Sequence, residues 1–143
     1  MLPRNRILQA ALLLSLLVGC RGDRGGPESA QPMPPGAADP ETVQRVRQRY
    51  FSAYPDSRVG IVIAIEPSGQ PFVAVGEIDP AGLRDNEPVL FLDRSGRALT
   101  TGRIARVLPD SVHVRYDPPP QGGREPRRGD MAVFRLPAGA RTL

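Results

Sequence analysis

Few side chains in this 143-residue chain can do covalent or acid–base chemistry: one cysteine, Cys20, one histidine, His113, and fifteen carboxylates. Ser111, His113 and Asp110 supply the letters of a hydrolytic triad. A triad needs three groups converging in one pocket, and neighbours on a single strand diverge. One histidine and one cysteine also fall short of the ligands a zinc site requires. Asp79, Asp85, Glu87 and Asp93 sit beside turn signals and read as solvated turn residues. A glycosidase would need two of them facing each other about 5–10 Å apart across a cleft. Gly122-Gly123 precedes Arg124 without the spacing of a phosphate loop. These residues predict no catalytic group, no metal site and no cofactor, so a hydrolase is the least favoured reading.

The densest basic spot is Arg124, Arg127 and Arg128, in the polar loop between Asp117 and Asp130. It is either solvated loop charge or a contact for an anionic envelope component, such as lipid phosphates or peptidoglycan carboxylates. A contact of that kind would weaken with salt. Gly129-Asp130 closes the loop. Glycine permits a positive φ there, and the aspartate can accept hydrogen bonds from nearby backbone amides. The net charge of +4 and the pI near 10.2 do not make a nucleic-acid surface. The nineteen basic residues, all arginine, are interspersed with acids, and loss of Arg4 and Arg6 with an N-terminal signal leaves seventeen against fifteen, or +2.

The setting of Cys20 is more informative. Arg4 and Arg6 precede an apolar run from Ile7 to Val18, of the length of a signal-peptide h-region. Arg21 and Asp23 end the run well short of the roughly twenty residues a membrane span needs. Leu17-Val18-Gly19-Cys20 resembles the lipobox of bacterial lipoprotein signal peptides. The resemblance implies that residues 1–19 are a signal peptide and that Cys20 receives a diacylglyceryl group and an N-acyl chain such as palmitate. Two or more acyl chains hold a protein firmly to a membrane. Arg21, where an aspartate would resemble an inner-membrane retention signal, favours the outer membrane, facing the periplasm, in a diderm host. Residues 20–38 are rich in Gly, Pro, Ser, Ala and Gln and read as a lipidated cysteine followed by a flexible tether. With a single cysteine, no internal disulfide is expected.

The elements that follow are mostly strands. Over 39–54, Asp39 caps, Pro40 opens, and Val43, Val46, Tyr50 and Tyr54 mark one apolar face of an amphipathic helix. Its polar side is arginine-rich, yet its narrow stripe favours packing over a membrane-surface role. From Arg58 the period drops to two. Val59, Ile61, Ile63 and Ile65 alternate with Gly60, Val62, Ala64 and Glu66, which predicts a strand covered on both faces. Further strands are expected over 70–76, 88–92, 98–108 with Gly102 as a bulge or bend, 111–116 and 131–136. Short strands at this spacing indicate a small barrel or sandwich, and the expected fold class is mainly β: a small six-stranded β-barrel over 58–137, preceded by one amphipathic helix and a disordered tether, with a short tail over 138–143. Closing the sheet would remove exposed edges.

Residues 59–136 resemble the SH3-like β-barrel at the C-terminus of the flagellar assembly protein FlgT. The resemblance rests on Val59-Gly60-Ile61-Val62, Val75-Gly76, Gly82-Leu83, Gly102-Arg103-Ile104 and Gly129-Asp130-Met131-Ala132-Val133-Phe134. The sequence departs from it at Asn86-Glu87-Pro88-Val89, where a Gly-Asp pair would stand. These motifs are turn and strand punctuation. They imply an SH3-like fold and, by association, a subunit of a larger flagellar or secretory envelope machine. The residues themselves favour a membrane-anchored, non-enzymatic envelope lipoprotein. Its expected partners are the membrane, through the lipid, and envelope proteins or peptidoglycan.

Overall fold

The computed structural model describes Gly36 and residues 38–140. The signal segment, Leu17, Val18, Gly19, Cys20 and most of the spacer lie outside the described residues. The elements are α1 (Pro40–Ala53), β1 (Arg58–Ile65), β2 (Phe72–Gly76), β3 (Pro88–Leu92), β4 (Ala98–Val107), β5 (Val112–Tyr116) and β6 (Met131–Phe134).

The helix starts where its chemistry dictates. Thr42 donates its backbone N–H to Asp39 Oδ2 at 3.1 Å, and Pro40, with no N–H to lose, takes the first turn. It ends as Tyr54 turns to extended backbone while still donating to the Tyr50 carbonyl. Val43, Val46 and Tyr50 are its buried residues, with Tyr54 packed beside them.

The six strands close into an antiparallel barrel in the order β1-β2-β5-β4-β3-β6. Two apolar layers result. One fills the barrel with Val62, Val75, Phe91, Val112, Val114 and Phe134, all with no exposed surface. Phe91 meets Tyr116 edge-on, ring centroids 6.5 Å apart. The second lies outside the barrel, where α1 covers Val59, Ile61, Leu92, Met131 and Val133. β6 is therefore buried at every position: Ala132 and Phe134 face the interior, Met131 and Val133 face the helix. Ala38, at the end of the expected tether, is already packed in this second layer at 4% exposure.

Two sequence expectations need correction. β1 is not covered along its length: Arg58–Val62 lie at or below the surface, but Ile63, Ala64 and Ile65 are exposed. Its pairing with β6 stops at Ile61↔Met131, and the β1–β2 register slips between Val62 and Ala64, a bulge at Ile63. Past the bulge β1 keeps β2 as its partner, through Ala64↔Ala74 and Ile65↔Val73, but no longer pairs with β6. Gly102 is not a bulge. It pairs in register with Val89 and Tyr116, and the β4 irregularities fall elsewhere, beside Leu92 and between Ile104 and Arg106. Its role is close approach. A Cβ there would lie 2.5 Å from the Arg115 carbonyl oxygen and 3.1 Å from the Phe91 ring.

Candidate functional site

The chemistry-bearing residues of the sequence do not converge. Ser111 is buried and its hydroxyl donates to its neighbour Asp110 at 3.2 Å, while His113 is half-buried on β5. Asp79 accepts from the Ala81 N–H at 2.9 Å and pairs with Arg58 at 3.4 Å. Asp93 folds its turn by accepting from Ser95 N (2.8 Å), Ser95 Oγ (2.6 Å) and Arg97 N (2.9 Å). Burial pushes the Asp93 carboxyl up, but these hydrogen bonds and the charge of Arg124 outweigh it and hold the group below its ordinary range. Asp85 is exposed, and Glu87 is half-buried with Oε2 lacking a hydrogen-bond partner. Among the described residues no three His, Cys, Asp or Glu side chains gather closely enough to hold a metal ion.

The arginine loop divides into two parts. Arg124 forms a fork on Asp130, with contacts of 2.6 and 2.8 Å, and donates again to the Glu125 carbonyl. Asp130 has no exposed surface and also accepts the Arg127 N–H at 2.7 Å. Gly129, at φ 89°, donates to the Val62 carbonyl, and Val62 in turn donates to that of Asp130, so the loop end extends the sheet beside β1. The hydrogen bonding to Asp130 raises the Arg124 pKa, against the pull of burial. The charge of Arg124 is therefore balanced within the fold. Arg127 and Arg128 are exposed, and they face a groove instead.

That groove is the site the sequence reasoning missed, with about 1120 Å³ of open space. Its apolar lining is Val43 from α1 and Ile61, Ile63 and Ile65 from β1, the last two 41% and 45% exposed. Arg94, Arg127 and Arg128 line its cationic side, and Arg94 is fixed there by donating to the Arg128 carbonyl at 3.0 Å. Arg47 closes the helix side, reaching the carbonyls of Val59 and Glu77 at 3.4 and 3.3 Å. Glu77 is its acidic lining residue. The chain enters the described structure at this groove, because Gly36 and Ala38 also line it. The signals were present in the sequence as an unusually apolar β1 and an arginine pair, but about sixty residues of chain separate them.

No protein-family model, no curated protein and no solved structure matches this chain. Among the described residues no helix is long and apolar enough to cross a membrane.

Proposed function

We propose that this protein is a lipid-anchored bacterial envelope protein whose barrel is a non-catalytic interaction domain. The reading rests on Leu17-Val18-Gly19-Cys20 for the address. For the activity, the observation that carries it is the groove, where exposed Ile63 and Ile65 lie beside Arg94, Arg127 and Arg128. A small domain that leaves large apolar side chains exposed in the same groove as exposed guanidinium groups has the makings of a contact surface. Cys20 would carry the acyl chains, and residues 1–19 would be removed. The outer membrane, facing the periplasm, is the favoured location.

The test is metabolic labelling with a palmitate analogue in the native host, followed by fractionation. The wild-type chain should take up label and sediment with membranes, and Cys20→Ser should do neither. An unlabelled, soluble wild-type chain would remove the anchor. The FlgT-like resemblance of residues 59–136 favours a second reading, a subunit of a larger flagellar or secretory machine. Crosslinking in cells and purification through a C-terminal tag separate the two. A reproducible set of machine components supports the subunit, and only abundant lipoproteins or peptidoglycan fragments support a stand-alone envelope binder.

A further inference from the structure

The outer half of β1, the loop at Arg127-Arg128 and the point of chain entry fall on one face. We propose that this face docks on the anionic phospholipid surface of the membrane that holds the chain. Arg94, Arg127 and Arg128 would meet headgroup phosphates, and Ile63 and Ile65 would enter the acyl boundary. The proposal rests on the lipid-anchor reading above.

Three observations choose this occupant. The first is charge. Arg94, Arg127 and Arg128 are exposed at one side of the groove, and the fold itself balances Arg124 through Asp130. A basic residue near an anionic lipid surface favours partitioning roughly fivefold, so three give on the order of 100-fold, less what Glu77 in the same lining takes back. The second is shape. Ile63 and Ile65 are large, apolar, open to solvent and line the same groove as those arginines, a combination of apolar body and cationic charge that suits a lipid interface. The third is connectivity. Gly36 and Ala38 line the groove, so the described part of the chain begins at this face. An extended chain spans at most roughly 3 Å per residue, which keeps the domain within about 50 Å of the lipid. Confinement of that kind supplies an effective concentration of order millimolar, enough for a weak contact to be populated. A peptide strand added to the edge of β1 is the competing occupant. Among the described residues the β1 edge without a strand partner past Val62 runs from Ile63 to Ile65, too short for main-chain pairing to dominate.

The test uses the processed, full mature chain purified from its host and reconstituted into nanodiscs of neutral phosphatidylcholine or of phosphatidylcholine with phosphatidylglycerol. Co-elution with the discs reads the anchor, and hydrogen exchange over residues 61–66 reads the docking. On the anionic discs those amides should exchange roughly tenfold or more slowly than on the neutral ones. Arg127→Glu with Arg128→Glu should abolish the difference while co-elution persists, and Ile65→Ser should reduce it. Equal exchange on both discs overturns the docking and leaves the anchor standing; protection that is equal and strong points to a peptide segment in the groove. Lipid-dependent protection that survives the double charge reversal also overturns it. A chain that elutes with neither disc removes the anchor reading and this proposal together.

Discussion

The two ends of the loop at 124–130 carry the same side chain into opposite circumstances. Arg124 is locked in a fork on a carboxylate with no exposed surface, a few residues from Arg127 and Arg128, which project at the groove. β1 shows the same division along its length. Val62 is sealed in the barrel, and Ile65, three residues on, is 45% exposed. In both cases the inner member holds the fold and the outer member is left available. Residue type alone does not separate structure from contact; the partner on the far side does.

The sharpest way to break the comparison is Arg124→Ala. It strands the buried Asp130 carboxylate and should remove about 2–3 kcal/mol of stability in urea unfolding, toward the lower end for a buried pair because the guanidinium is partly solvated. Arg124→Ala with Asp130→Asn should lose less than the two single changes added together. Next comes β1. Val62→Ala should lose about 2 kcal/mol through the space left in the barrel core, and Ile65→Ala less than about 0.5. Equal losses would mean that Ile65 is covered in solution.

A smaller effect concerns Asp93. Its folded-state pKa is depressed, so its contribution to stability is present above the unfolded-state value near 3.8 and fades as pH falls through the lower folded value. Ser95→Ala should raise the Asp93 midpoint followed by carbon NMR and move the acid unfolding limb to higher pH. Arg124→Ala should raise it by less, because the Arg124 charge is the smallest of the named influences. The smallest expected change in stability is for Arg127→Glu and Arg128→Glu, each within about 0.5 kcal/mol. A larger loss would place them with Arg124, as structural residues.

Much of the fold was legible in the chain because local rules and tertiary demands agree. Asp39-Pro40 is both a capping signal and the observed helix start, and the spacing of Val43, Val46 and Tyr50 marks the face that is buried. The strand at Met131–Phe134 is apolar on both faces because a core lies on one and a helix on the other. The same logic misled at β1, whose pattern looks identical. Only the early end of β6 pairing and the bulge at Ile63 uncover its second half, and neither leaves a mark in residue type. Gly102 was legible as special but not as a contact, since the atoms that exclude a Cβ come from Arg115 and Phe91.

By itself, then, the sequence determined the elements and their order, because caps, periodicity and turn chemistry act over a few neighbouring residues. The tertiary structure alone decided which arginine is neutralised and which stays available, and that Ile63 and Ile65 share a groove with Arg94, Arg127 and Arg128. Those outcomes depend on closure of the barrel, which brings β1 against β6 and the loop before it across some seventy residues of chain. Charge pairing and burial are set by that long-range closure, on which local patterning has no purchase.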